Sequence, residues 1–574
     1  MKTFILGLSI LFSQHNVLAQ YDGNSTPTYE ELISIYEKLA LENNEIELYQ
    51  MGQSDYGLPI YVCIINGGQD SIASFKKARK STTLLINNAI HPGEPDGVNA
   101  CLIWMNNWIK KGKKTEKLPV IAIIPAYNVG GMMNRGTSSR ANQEGPDEYG
   151  FRGNTKNLDL NRDFIKMDSK NMFTFAKIYH SLDPDVFIDT HVSNGADYQY
   201  TISHIASVRE RMAPELGRLM HEELIPHLEN CTKKNDFDLI PYVNLKGETP
   251  EEGIVVFNDL PRYAMGYASL MNAMSFTIET HMLKPFPQRV QATLSFLEGA
   301  ISWISWHKEE IESARLKALS WVDAMEYYPF NFKAGVKKDS ILFKGYEFSN
   351  PISEVTGLKR LKYHRDKPYE KHIPLYKEYV AMDSTFIPDY YIVEAQCTDV
   401  IEKLKANNII MSPINEKGTV LLGRYKILTY ESPKKPYEGH FIHSNIEKEI
   451  SLIYKEFKPG DVVISTLQKN KRFIISVLEP DTPDSYFAWN TFDSYVQQKE
   501  YFSSYVFEDK AEEILEENET LRTEFENKKV SDSEFAKSSH AQLRFIYERS
   551  KYYESTHNYL PIYSGMNQNG ETEE

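Results

Sequence analysis

The stretch Leu84-Leu85-Ile86-Asn87-Asn88-Ala89-Ile90-His91-Pro92-Gly93-Glu94-Pro95 changes character halfway along. Its first part is a mostly apolar run of the length of a buried strand, and Pro92-Gly93 then forces a turn. His91 and Glu94 therefore fall just past a strand end, three positions apart on one turn. An imidazole nitrogen and a carboxylate oxygen so placed can both reach one ion, and this donor pair suits zinc. Taken alone, the pair equally describes a polar surface turn, so further donors are needed before a metal site is read.

Two later stretches end in the same way. Val186-Phe187-Ile188-Asp189-Thr190-His191 is an apolar strand ending in His, and Met274-Ser275-Phe276-Thr277-Ile278-Glu279-Thr280-His281 is one ending in Glu and His. Three strands thus deliver metal-type or acid-base side chains at their carboxyl ends, where open α/β sheets gather ligands. Asp189, two residues before His191, reads as strand framework and not as a ligand. A fourth stretch, Asn157-Leu158-Asp159-Leu160-Asn161-Arg162-Asp163-Phe164, sets an amide beside a guanidinium, a pair suited to gripping a carboxylate.

Over roughly residues 28 to 310 these motifs resemble the zinc carboxypeptidases of the funnelin type, the M14 peptidases. The resemblance implies one zinc ion held by His91, Glu94 and His191, a carboxylate grip made by Asn161 and Arg162, and Glu279 as the catalytic base. Many members carry Asn-Pro-Asp-Gly where this chain has Asn128-Val129-Gly130-Gly131. Arg152, nine residues before Asn161, resembles in spacing the oxyanion-polarising Arg of the cytosolic-type branch, with Arg140 as the alternative. A tyrosine from the stretch Tyr263 to Tyr267 is expected to close over the substrate. In the pancreatic branch an acid some fifteen positions before the base selects basic ends. Counting back from Glu279 reaches Ala264, followed by Met265, in a stretch without acid nearby except Asp259, so apolar or aromatic C-terminal residues are expected, unless Glu251 or Glu252 swings into the pocket.

The implied activity is hydrolysis of the last peptide bond of a peptide or protein. Two rivals share much of the chemistry: a zinc deacylase or amidase acting on acyl-amino acids or cell-wall peptides, and a non-catalytic binding module. The intact ligand set and Glu279 argue against the binding module, because a binder has no use for a base beside a metal. His221-Glu222-Glu223-Leu224-Ile225-Pro226-His227 imitates a metalloprotease helix, but His-Glu-x-x-His needs its second His four positions on, and here it comes six on, after a proline. It reads as the face and end of a helix starting near Val208.

Outside these motifs, strand and helix alternate from Ile60 to Ile124, which predicts an α/β fold with a mainly parallel mixed sheet wrapped by helices. Gln288 to Trp306 carries an apolar face for closing that sheet. Residues 1–19 read as a secretory signal peptide, 20–311 as the catalytic domain, and 312–574 as a β-rich and helical accessory region of one or two subdomains. In that region Tyr390 to Val393, Asp461 to Ile464 and Arg472 to Leu478 read as short strands, Asp509 to Lys528 as a charged helix, and the tail from Asn567 as disordered. The leader predicts export to the periplasm or medium. A formal charge of −15 argues against a nucleic-acid partner, and no later segment is long and apolar enough for an integral membrane span. Four cysteines are too few for a disulfide framework, and Cys63 and Cys101 fall in apolar patterns as buried thiols.

Overall fold

The computed structural model describes residues 23–566; the expected signal peptide and the tail from Asn567 lie outside the described residues. The first half builds one sheet from β1 (Ile46–Gln53), β2 (Pro59–Ile65), β3 (Thr83–Asn87), β4 (Val120–Ile124), β5 (Val186–Ser193), β6 (Ile202–Ala206) and β7 (Leu239–Pro241). After a short β8 (Ile254–Val255) that pairs elsewhere, β9 (Met274–His281) completes it. The strand order is β1-β2-β4-β3-β5-β9-β6-β7. β4, β3, β5 and β9 are parallel neighbours, whereas β2 joins β4, and β6 joins β9, antiparallel. The sheet is therefore mixed with a parallel centre, as the alternation of elements predicts.

Every residue of β3, β4 and β5 is buried, the pattern of a parallel sheet covered on both faces. Successive strand residues point to opposite faces, and helices meet both. Phe175 of the helix Lys170–Leu182 packs edge-on against Phe187 of β5. On the other face, the helix Asp96–Lys110 approaches β5 so closely that a Cβ on Gly97 would lie 2.2 Å from Thr190 Oγ1. The helix Phe286–Trp306 packs on Asp96–Lys110, tied to it by the buried Arg289–Asp96 ion pair at 3.0 Å.

β3 stops at Asn87, although the chain stays apolar at Ala89 and Ile90. Ala89 takes a left-handed φ of 56°, and the carbonyls of Asn88 and Ala89 accept hydrogen bonds from Tyr127 and Asn128 instead of continuing a ladder. The helix expected to end near His227 is a longer rod. It runs from Pro214 to Lys234 with a π turn over Leu219–Leu224 just before Pro226, where the missing N–H interrupts the regular ladder.

The second half is β-rich, with two corrections. β10 (Tyr327–Ala334), β11 (Asp339–Ser349), β12 (Lys362–Tyr376) and β13 (Tyr379–Phe386) form small antiparallel pairings, β12 also taking up β8. A six-stranded sheet then follows from β14 (Tyr390–Val393), β15 (Ser412–Pro413), β16 (Gly418–Glu431), β17 (Ser444–Phe457), β18 (Val462–Ser465) and β19 (Tyr559–Gly565). Arg472 to Leu478 is helical, within Lys471–Leu478. That helix is buried on all sides, and an apolar run this short is not told from a buried strand by pattern alone. The charged segment is two helices, Ser504–Glu517 and Glu519–Ser531, separated at Asn518, whose side chain accepts from Leu521 N and caps the second.

Residue 311 falls inside the helix Lys308–Asp323. One apolar core runs across both halves: Phe473 packs edge-on against Tyr267, and Arg262 pairs with Asp484 at 2.8 Å. Cys63, Cys101, Cys231 and Cys397 are free thiols. No helix among the described residues is long and apolar enough to cross a membrane.

Candidate metal centre

Strand ends and one turn bring His91, Glu94 and His191 together. His191 Nδ1 lies 3.2 Å from His91 Nδ1 and 3.0 Å from Glu94 Oε2, and His91 Nδ1 lies 3.2 Å from Glu94 Oε1. All three residues are buried. Behind each ring a carboxylate accepts from Nε2: Asp159 Oδ1 at 2.9 Å from His91, and Asp189 Oδ2 at 2.7 Å from His191. These outer partners fix the rings with Nδ1 facing inward. Asp189 is itself held by Asn87 Nδ2 at 3.0 Å across β3 and β5.

The donor set fits a zinc ion. Tetrahedral bonds of ~2.0–2.1 Å place ligand atoms about 3.3 Å apart, close to the separations found. Two inward nitrogens and a carboxylate on buried residues call for positive charge. Without a metal, protonation supplies it. Burial works against the imidazolium of His191, but the carboxylates of Asp189 and Glu94 hold its pKa well above the ordinary histidine value. Burial likewise opposes the Glu94 carboxylate, yet His91, Arg140 and His191 hold its pKa well below the usual range. A cation replacing that proton keeps the balance.

Glu279 sits opposite His191 in the register of β5 and β9, on the same face. Its Oε2 is buried and takes no hydrogen bond. Burial, reinforced by Glu94 and opposed by His191 and Arg152, raises its carboxyl pKa to about 8. The residue as a whole is half-buried, and a positive ion at the neighbouring donors would favour its ionised form, the form that accepts a proton.

Two arginines reach the same ligand. Arg152 donates to Asp159 Oδ2 from Nε at 3.0 Å and Nη2 at 2.8 Å, and lies 3.5 Å from Glu94 Oε1 through Nη1. Arg140 donates to Glu94 Oε1 at 2.8 Å, passing so near Gly93 that a Cβ there would lie 2.2 Å from its Nε. The loop carrying both is anchored by Asn128, whose amide donates to the carbonyls of Ile90 at 3.1 Å and Arg152 at 3.0 Å.

Asn161 and Arg162 lie on a 3-10 turn, Leu160–Arg162, capped by Asp159 Oδ1, which accepts from Asn161 N at 2.9 Å. Asn161 Oδ1 accepts from Ala264 N at 2.9 Å. The Arg162 guanidinium stacks on the Tyr263 ring at 4.3 Å. Burial opposes its charge, but Asp159 and the oxygens of Tyr263 and Tyr437 raise its pKa.

All seven residues singled out in the sequence line one cavity of about 610 Å³. Of the tyrosines, Tyr263 lines it, while Tyr267 is buried elsewhere and donates to Asn407 Oδ1 at 2.7 Å. Ala264 and Met265 are buried in the helix Ala264–Leu270 and are not part of the wall, whose apolar residues are Phe151, Val192, Ile205, Phe257 and Met282 instead. Asp259 is in the wall, with its carboxyl raised by burial to about 7. Glu252 is engaged in capping Thr249, and Glu251 faces Lys371.

Sequence reasoning missed the orienting role of Asp159 and Asp189, for which a signal existed: each stands two residues before a site residue. It also missed Tyr437 and Glu438, which reach Arg162 and Asp159 from the accessory half. Nothing in the sequence links them across some 275 positions.

Residues 32–193 match the family model described as zinc carboxypeptidase. Several solved structures are similar to part of the chain. A metallo-carboxypeptidase from Burkholderia cenocepacia is 15% identical, over 48% of this chain and 69% of that one, with a TM-score of 0.36. A metallo-carboxypeptidase from Pseudomonas aeruginosa, solved with (2-guanidinoethylmercapto)succinic acid, is 15% identical over 49% and 69%, with a TM-score of 0.36. Carboxypeptidase A from Helicoverpa armigera is 14% identical over 50% and 73%, with a TM-score of 0.35. No curated protein sequence is similar to the chain.

Proposed function

We propose, on the premise that residues 32–193 form a peptidase domain of the zinc carboxypeptidase family, that this protein removes the C-terminal residue of peptides or proteins. The carrying observation is the unpartnered Glu279 Oε2, in the wall of the same cavity as the inward-pointing His91, Glu94 and His191 donors and the Arg162 guanidinium. Those three donors would hold a zinc ion, which would supply Lewis-acid chemistry at the cavity.

The chain's own groups do the rest. Glu279 accepts the proton of the attacking water at Oε2 and returns it to the leaving nitrogen. Arg152, with Arg140 beside it, donates toward the negative charge that develops on the carbonyl oxygen. Asn161 and Arg162 hold the free carboxylate of the substrate. Because that grip is fixed in the cavity wall, only a bond near a chain end reaches Glu279, which makes the activity exopeptidic. Residues 20–311 are the proposed catalytic unit and 312–574 the accessory region, and the leader-like composition of residues 1–19 supports export.

A zinc deacylase or amidase acting on acyl-amino acids or cell-wall peptides would use the same groups. Rates on unblocked peptides, acyl-amino acids and muropeptides with the zinc-loaded protein separate the readings. Fastest turnover of unblocked peptides supports the carboxypeptidase, and turnover confined to either other class rejects it.

A further inference from the structure

The hairpin loop between β16 and β17, in the accessory half, ends in a tight turn over the carboxylate grip. Tyr437 and His440 exchange backbone hydrogen bonds at 2.7 and 3.0 Å, and Glu438 and Gly439 between them both take positive φ, 50° and 83°. Two left-handed residues are the mark of a rigid two-residue hairpin turn. Three side chains of this turn reach the catalytic half. Tyr437 Oη accepts from Arg162 Nε at 2.8 Å. Glu438 Oε2 accepts from the backbone N–H of Asp159 at 2.7 Å. His440 Nε2 lies 2.7 Å from Asp168 Oδ2. The Tyr437 ring stacks on the buried Trp489, with centroids 6.3 Å apart and planes at 25°, so the hydroxyl is held from behind.

We infer that Tyr437 is a positioning residue for substrate carboxylates, acting through Arg162, and that the accessory half is thereby part of the binding site. The inference rests on the reading of Arg162 as the carboxylate grip. A guanidinium has five N–H donors in a flat fork. Here Nε is engaged by Tyr437 and one hydrogen of Nη1 by the Asn161 carbonyl at 2.8 Å, while Tyr263 covers a face. Nη1 also pairs with Asp159 Oδ2 at 3.9 Å, so the hydrogens of Nη2 are left for a ligand, and the fork cannot swing to present another edge without breaking the Tyr437 bond. A pre-oriented fork loses less freedom on binding than a mobile one. Glu438 fixes the backbone of Asp159, the residue that caps the Asn161–Arg162 turn and orients His91.

Tyr437→Phe in the full, zinc-loaded chain keeps the stacked ring and removes only the hydroxyl. Its KM for peptides with a free C-terminal carboxylate should rise about tenfold with kcat within about twofold, the sign of lost uniform binding. A purely structural role would lower the active fraction and hence kcat. Lys434→Ala, an exposed change in the same loop, should alter neither. Calorimetry needs no turnover: N-acetyl-phenylalanine and N-acetyl-lysine, each against its amide, should bind wild type better as the acid, and Tyr437→Phe should lose about tenfold on the acids only. Equal loss on acid and amide, unchanged acid affinity, or no acid preference in wild type would overturn the inference. Wild type that shows the Tyr437-dependent acid preference but releases no C-terminal residue would support the inference and reject the carboxypeptidase.

Discussion

Removing the carboxylate behind His191 should weaken zinc binding without touching a ligand. Asp189 Oδ2 accepts from His191 Nε2 at 2.7 Å in a fully buried setting, and its Oδ1 accepts from Asn87 Nδ2 at 3.0 Å. Asp189→Ala leaves Nε2–H without an acceptor, lets the ring turn, and frees the tautomer that carries its proton on Nδ1, where the metal would bind. Losing an outer carboxylate typically costs about 10–100-fold in metal affinity, or about 1.4–2.8 kcal/mol. That range matches the loss of one hydrogen bond to a charged group, about 1.5–3 kcal/mol. Asp189→Asn should fall between wild type and Ala. A neutral oxygen can still face Nε2 if the Asn87 amide turns to offer its oxygen, which has no partner now. Chelator competition at fixed pH measures the affinities, with denaturant unfolding in excess chelator as the check that each variant folds. Asp189→Ala binding zinc within twofold of wild type would refute the orienting role, as would an Asn variant weaker than the Ala one.

Losing a ligand is more drastic: His91→Ala or His191→Ala should abolish both stoichiometric zinc, measured by elemental analysis, and activity. With Asp259 in the cavity wall, C-terminal Lys or Arg should be released at least as fast as Leu. Asp259→Asn should lower the Lys-to-Leu ratio of kcat/KM by about tenfold, or about 1.4 kcal/mol; an unchanged ratio removes Asp259 from specificity. Asp185 begins the turn into β5 and accepts from Thr83 N at 2.9 Å. Burial, partly offset by Arg315, raises its pKa from 3.8 to about 6. A raised carboxyl is a penalty on the charged native form, absent below the unfolded pKa and complete above the folded one. Asp185→Asn should therefore stabilise the fold by about 2–3 kcal/mol at pH 7.5 and by almost nothing at pH 3.5, read from denaturant unfolding; equal effects at both pH values would reject the burial penalty.

The candidate site residues were legible because strands buried on both faces have a strong apolar signal, and polar side chains such as His91, His191 and Glu279 stand out against it. Their register could not be read: only the pairing of β5 with β9 sets Glu279 against His191. Arg140 was hidden in a Gly-rich loop, where sequence carries little about path. Its approach to Glu94 depends on Gly93 lacking a side chain and on Asn128 pinning the loop. The residues of the cavity wall were not legible by counting: positions back from Glu279 land in a helix interior at Ala264, while the chain before that helix carries Asp259 past the cavity. The helix Lys471–Leu478 was misread as a strand because a short buried apolar run fits either element. Tyr437 and Glu438 belong to contacts made only when both halves pack, and no local pattern encodes such contacts.

One measurement bears most directly on the proposed chemistry: mass spectrometry of a peptide with a free C-terminus, and of the same peptide amidated, after incubation with zinc-loaded wild type and with zinc-loaded Glu279→Gln. Loss of single residues from the free C-terminus alone, by wild type alone, with equal zinc in both proteins, is the expected result. Internal cleavage, equal attack on the amidated peptide, or full activity in Glu279→Gln would contradict it.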